Sequence, residues 1–148
     1  MSRQAGNEVA APRAPSKLAG TIRVPPSKSL TQRALVVAAM AGAGARVADP
    51  LDAEDPRLLA AALGATGHAL EWRGDEVVVG ERRPTGGGLI HMGNNGTGAR
   101  FMLAQLAATP GRWVLDGTRR LRERPFAPLV DALGALGADI AAAGGPAA

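Results

Sequence analysis

The chain repeats itself. Ser29-Leu30-Thr31-Gln32-Arg33-Ala34-Leu35 is paralleled by Gly96-Thr97-Gly98-Ala99-Arg100-Phe101-Met102, and Val47-Ala48-Asp49 by Val114-Leu115-Asp116. Ala62-Leu63-Gly64-Ala65-Thr66-Gly67 is paralleled by Ala132-Leu133-Gly134-Ala135-Leu136-Gly137. All three matches keep their order at an offset of about 67–70 residues. Self-similarity at one spacing marks a supersecondary unit used more than once, and such units bury their apolar faces against one another. An Ala/Gly-rich chain produces chance matches, but three in the same order weigh for a duplication.

Each copy reads as strand, helix, strand, helix, strand, with one more strand closing the first. In the first copy Thr21–Val24 alternates as a strand ended by Pro25-Pro26, and Ser29–Met40 is a helix with Leu30, Ala34, Val37 and Ala41 at helical spacing. Arg46–Ala48 is a strand. Glu54–Ala65 is a helix with Asp52 as its expected N-cap, Pro56 in the first turn and Gly67 ending it. Ala69–Trp72 and Glu76–Val79 form a hairpin across Arg73-Gly74-Asp75. After the linker Pro84–Gly88, the second copy has a strand at Leu89–Met92, a helix at Thr97–Ala108, a strand at Trp113–Leu115, a helix at Pro125–Leu136 and a last strand at Asp139–Ala141. The expected class is α+β (α/β), organised as a disordered Ala/Pro-rich tail (1–17), a first unit (18–87) and a truncated second unit (88–148). Gly144-Gly145-Pro146 reads as the start of a loop, so further units are expected beyond it.

The composition narrows the chemistry. The 46% hydrophobic content comes mostly from small aliphatic side chains, with two Trp, two Phe and no Tyr. Cysteine is absent, which excludes disulfides, thiolate metal sites and cysteine nucleophiles, and two histidines are too few for a metal cluster. No apolar run approaches the ~20 residues of a membrane span, and the first 17 residues lack the apolar stretch of a secretory signal. The expected compartment is the cytoplasm. A net charge of +4 admits nucleic acid or small anions as partners. With almost no aromatics to stack on bases, small phosphorylated ligands are favoured.

Three places bring anion-binding chemistry to a helix start. In Pro25-Pro26-Ser27-Lys28-Ser29, free backbone N–H groups are joined by the Lys28 ammonium and the Ser29 hydroxyl, with Arg33 one turn further along the same face. The plain alternative is a serine cap beside two solvated cations. In Gly93-Asn94-Asn95-Gly96-Thr97 the glycines allow close backbone approach, Asn94 can donate, and Arg100 stands one turn on. Here the alternative is an ordinary turn with a threonine cap. Arg119-Arg120-Leu121-Arg122-Glu123-Arg124-Pro125 crowds four guanidiniums, a repulsive arrangement unless acids or an anion relieve it. A solvated basic loop is the alternative. Asp49, Asp52, Glu54 and Asp55 read as caps and solubilising charge, and His68 and His91 as structural.

Together these motifs resemble those of the 3-phosphoshikimate 1-carboxyvinyltransferase (EPSP synthase) family. The segment from Val24 to Leu35 looks like its opening motif, Gly93 to Arg100 like its second, and Leu115-Asp116-Gly117 through Arg124-Pro125 like its third, over about Leu18 to Ile140. The resemblance implies βαβαββ units, three per domain, in two domains that close over the substrates, with two units of the N-terminal domain present here. It implies transfer of the enolpyruvyl group of phosphoenolpyruvate to the 5-hydroxyl of shikimate 3-phosphate with release of phosphate, without metal or cofactor, in a full-length parent expected to be monomeric with no nucleic-acid or membrane partner. Carried over by motif, Lys28 is the catalytic position and contacts both substrates. Ser29 and Arg33 hold shikimate 3-phosphate, and Asn94, Gly96 and Arg124 line the phosphoenolpyruvate pocket. Arg100 and Arg120 take supporting roles.

Pro26 stands where the family usually has glycine, and Asn95 replaces a smaller residue, so nothing follows about the inhibitor glyphosate. About the first third of the family's length is present, and the fragment alone is expected to be inactive. The related UDP-N-acetylglucosamine enolpyruvyl transferases usually carry a cysteine where this chain has Arg119, and Lys-Asn where it has Lys28-Ser29. Other readings are a non-catalytic phosphate- or RNA-binding module, a gene fragment without function, or one half of a split enzyme.

Overall fold

The computed structural model describes Lys17 and residues 19–142. The expected tail, apart from Lys17, and the expected loop start at Gly144-Gly145-Pro146 lie outside the described residues.

The first helix, α1 (Lys28–Ala41), starts where Ser27 accepts a hydrogen bond from Leu30 N, and stops at Gly42, whose φ of 92° leaves the helical region. It buries Thr31, Gln32, Leu35, Ala38 and Ala39, a stripe at helical spacing. Of the residues read at helical spacing, Ala34 packs against the core, whereas Leu30 (67% exposed) and Val37 (65%) point outward. α1 is apolar around much of its circumference, so periodicity alone does not choose the buried side. Contact with α2 (Glu54–Ala65) chooses it.

Strand β1 (Arg46–Ala48) lies between these helices in sequence. Asp52 does not cap α2. Ala53 occupies the cap position without a side-chain bond, while Asp52 takes Arg57 in a two-point ion pair of 2.6 and 2.7 Å. A bidentate guanidinium outcompetes a single amide N–H for the carboxylate, and Arg57 is further held by stacking over the Trp72 ring at 3.9 Å.

Strands β2 (Leu70–Arg73) and β3 (Glu76–Val79) form the expected hairpin, and β1 adds antiparallel to β3, giving the sheet order β1-β3-β2. Val77 and Val79 alternate inward and are buried. Next come β4 (Gly87–His91), α3 (Gly96–Ala107) and β5 (Arg112–Asp116), in which β4 and β5 pair in parallel with Leu89 opposite Val114. A parallel pair requires a crossover, and α3 supplies it. One turn of helix, α4 (Arg119–Arg122), then precedes α5 (Ala127–Ala135). The helix expected at Pro125–Leu136 therefore begins two residues later, after a separate turn capped by Thr118.

Along the chain α1 and α3, β1 and β5, and α2 and α5 follow in the same order, but the strands pair differently, antiparallel in the first sheet and parallel in the second. Helix α2 packs against both α1 and α3, and Leu35, Leu59, Leu63, Val77, Met92 and Met102 are fully buried around it. Two expected strands are not formed. Residues 21–24 and 139–141 find no neighbouring strand among the described residues, and Ile22 is 84% exposed. A strand without a partner leaves its backbone groups to water and gains nothing from alternation. The architecture is mixed α and β.

Candidate functional site

The loops after the parallel strands are tied to each other. Met92 N donates to Asp116 O and Thr118 N to Gly93 O, both at 2.8 Å, so the turn into α3 and the turn into α4 run side by side at the carboxyl ends of β4 and β5. Crevices outside the carboxyl ends of parallel strands are where open α/β sheets bind ligands. Asp116 secures the second loop by accepting from Gly117 N at 2.7 Å and pairing with Arg122 at 2.6 and 2.8 Å. The Arg122 hydrogen bonds, helped by the Gly117 amide, hold the Asp116 carboxyl down at about 2.

Arg124 leaves this loop toward the α3 start. Its Nη2 donates to Asn94 Oδ1 at 3.2 Å, and Gly96 lies directly beneath the guanidinium. Arg100 braces it: one guanidinium nitrogen donates to Gly96 O and another to Pro125 O, each at 3.0 Å, over the Phe126 ring at 4.9 Å. Lys28, the first residue of α1, lies with Nζ 2.7 Å from Asp55 Oδ2 in the first turn of α2. Lys28, Asn94, Gly96 and Arg124 thus line one cavity of about 260 Å³, together with Glu54, Asp55 and Thr97. Two cations, an amide and the start of α3 converge there beside the Glu54 and Asp55 carboxylates, so a small anion could be held where it displaces Asp55 from Lys28.

Ser29 and Arg33 lie elsewhere. Arg33 donates to the Ser29 hydroxyl and to the Ser29 carbonyl, and the pair sits on the exposed face of α1, outside the lining of that cavity. The arginine cluster is also less free than its sequence suggests. Arg122 pairs with Asp116 and Arg119 with Glu123, Arg120 is exposed and outside the cavity lining, and Arg124 is the member that lines the cavity. His91 Nδ1 accepts from Gly93 N at 3.3 Å and shapes the turn. His68 is buried, and burial with Arg82 nearby lowers its pKa. It lines a second cavity of about 340 Å³, which gathers no comparable set of cations.

Sequence reasoning missed two acids of the site and the cap beside it. Asp55 and Glu54 stood in an acidic cluster read as caps and solubilising charge, yet Asp55 faces Lys28 and both line the cavity. The cap of α3 is Asn95, not Thr97: its Oδ1 accepts from Gly98 N at 2.8 Å. The spacing Asn95-Gly96-Thr97-Gly98 would have allowed that assignment. Nothing local signals the approach of Asp55, because it depends on packing α1 beside α2. Among the described residues, no three His, Asp or Glu side chains come together as metal ligands, and no helix is long and apolar enough to cross a membrane.

The family model for EPSP synthase (3-phosphoshikimate 1-carboxyvinyltransferase) matches residues 12–147. The 3-phosphoshikimate 1-carboxyvinyltransferase of Thiobacillus denitrificans is 43% identical over 129 residues, covering 84% of this chain and 30% of the relative. That of Cupriavidus necator is 41% identical over 124 residues, covering 82% and 29%. The solved EPSP synthase of Acinetobacter baumannii superposes with a TM-score of 0.74 at 27% identity, over 84% of this chain and 29% of that one. The chain spans about 30% of the length of these relatives. With the match running across nearly the whole sequence, the chain belongs to the EPSP synthase family.

Proposed function

We propose that this chain is the N-terminal part of an enzyme that moves the enolpyruvyl group of phosphoenolpyruvate to the 5-hydroxyl of shikimate 3-phosphate and releases phosphate. Lys28, Asn94, Gly96 and Arg124, drawn from two repeats onto one cavity, are the observation that supports this most. In this reading the Arg124 guanidinium, aligned by Asn94, takes an anionic group of phosphoenolpyruvate in two-point fashion, and Gly96 leaves the room it needs. Ser29 and Arg33 present the phosphate-binding face for shikimate 3-phosphate one turn along α1. Lys28 stands between the two substrates and exchanges Asp55 for substrate oxygen.

The reaction protonates C3 of the enol, and the 5-hydroxyl attacks C2. The resulting tetrahedral intermediate, formed with loss of the hydroxyl proton, then expels phosphate while its C3 methyl gives up a proton and the carbon–carbon double bond is restored. Fixed cations are worth most where this negative charge develops, which is the role given to Lys28 and Arg124. The domain assignment belongs to the same proposal. Residues 18–87 and 88–148 are two of the three βαβαββ units of an N-terminal domain, and the remaining two thirds of the family's length supplies the rest of the site. The completed enzyme acts as a cytoplasmic monomer on small anions, without metal, cofactor, nucleic acid or membrane.

The test grafts residues 18–140 in place of the corresponding segment of the Thiobacillus denitrificans relative and follows phosphate release with both substrates. Activity is expected, with K28A and R124A each lowering kcat/KM by about 100-fold or more. A graft that folds and binds neither substrate, or a chain whose RNA affinity falls steeply with salt and does not respond to shikimate 3-phosphate, overturns the proposal.

A further inference from the structure

Asn95 is 1% exposed, and both ends of its amide are engaged. Its Oδ1 accepts from Gly98 N at 2.8 Å, closing the start of α3. Its Nδ2 donates at 2.8 Å to the carbonyl oxygen of Asp55, 40 residues earlier in the first turn of α2. Asp55 also carries the carboxylate 2.7 Å from Lys28 Nζ. A continuous path therefore runs from the α3 start through Asn95 and the Asp55 backbone to Lys28, and it crosses from one repeat to the other.

Capping alone does not require this residue. Serine, threonine and aspartate cap as well, but only a carboxamide of this length offers an acceptor to Gly98 and a donor to Asp55 on one rigid plane. Gly98 is its counterpart. A Cβ at position 98 would collide with Asn95 Nδ2 and Cγ and with Met92 Cε, so the third helical position is held by a poor helix former. Gly98 belongs there because Asn95 fills the space its side chain would take.

We infer that Asn95 is a positioning residue that sets Lys28–Asp55 at its distance from Asn94, Gly96 and Arg124, and that Gly98 is its obligatory partner. Asn95 does not line the cavity, so it acts through its neighbours and not on a ligand. The inference rests on the reading that this cavity takes phosphoenolpyruvate, and its tests separate the two.

In the ligand-free chain, G98A is expected to destabilise strongly when residue 95 is asparagine and to be nearly neutral in N95A, a departure from additivity of about tenfold or more in the unfolding equilibrium. Additive effects overturn the pairing of 95 with 98. N95D keeps the cap acceptor but loses the donor and faces Asp55. It is expected to move the amide resonances of residues 54–57 and of Lys28, and unmoved resonances overturn the tether. With phosphoenolpyruvate as probe in calorimetry, the folded graft carrying N95A/G98A is expected to bind about tenfold more weakly, and to lose less affinity for shikimate 3-phosphate, which Ser29 and Arg33 also hold in this reading. An equal loss for both ligands, or none for either, overturns the positioning role. A wild-type graft that folds and binds no phosphoenolpyruvate defeats the proposed function, while the coupling and resonance results still decide the tether.

Discussion

A methyl group on Gly96 would meet Nη1, Cδ and Cζ of Arg124, so alanine there must push the guanidinium off Asn94. G96A is expected to lower phosphoenolpyruvate affinity by about 10- to 100-fold, while shikimate 3-phosphate affinity stays within about twofold of wild type. Calorimetry with each ligand separately reads both. Asp116 makes a second residue-scale prediction. Its folded carboxyl titrates at about 2, below its ordinary 3.8, so the stabilisation from its Arg122 and Gly117 bonds is complete above the ordinary value and is lost as pH falls from there through about 2. Urea midpoints measured down that range are expected to fall, and D116N to remove that part of the slope. His68 adds a shallower loss at milder acidity. Burial lowers its pKa from 6.5, so the fold prefers the neutral ring and becomes less stable as pH drops below that value. H68Q is expected to flatten this portion of the profile.

Among the elements, α2 carries the core and α5 does not. Leu63 on α2 is fully buried, whereas α5 buries none of its residues and Leu136, just beyond it, is 85% exposed. L63A is expected to cost about 2–5 kcal/mol and L136A less than about 0.5 kcal/mol by urea unfolding. The helices were legible in the sequence because their signals are local: Ser27 before α1, Pro56 in the first turn of α2, Gly42 and Gly67 at the ends. Strand identity was less legible. Arg46–Ala48 and Thr21–Val24 look alike as short alternating runs, yet only the first meets a partner, Glu76–Val78, among the described residues. In the site, Lys28, Asn94, Gly96 and Arg124 could be named from their motifs. Asp55 could not, because its approach to Lys28 is a consequence of α1 lying on α2.

At the scale of the molecule, stability is expected to be uneven. Amide hydrogen exchange is expected to be slowest in α2 and β3, which meet neighbours on several sides, and fastest at residues 19–27 and 138–142, which join no sheet. Uniform protection along the chain would contradict this arrangement of the core. By itself the sequence determined where α1, α2 and α3 lie and which cations can meet an anion, since caps, glycines and charge act over a few residues. Only the tertiary structure decided which face of α1 is buried, which short runs become strands, which arginine of the cluster lines the cavity, and that Asn95 ties the start of α3 to α2. Those outcomes depend on which groups from distant parts of the chain arrive first at one another's unsatisfied hydrogen bonds and apolar surface, and no local pattern encodes that competition.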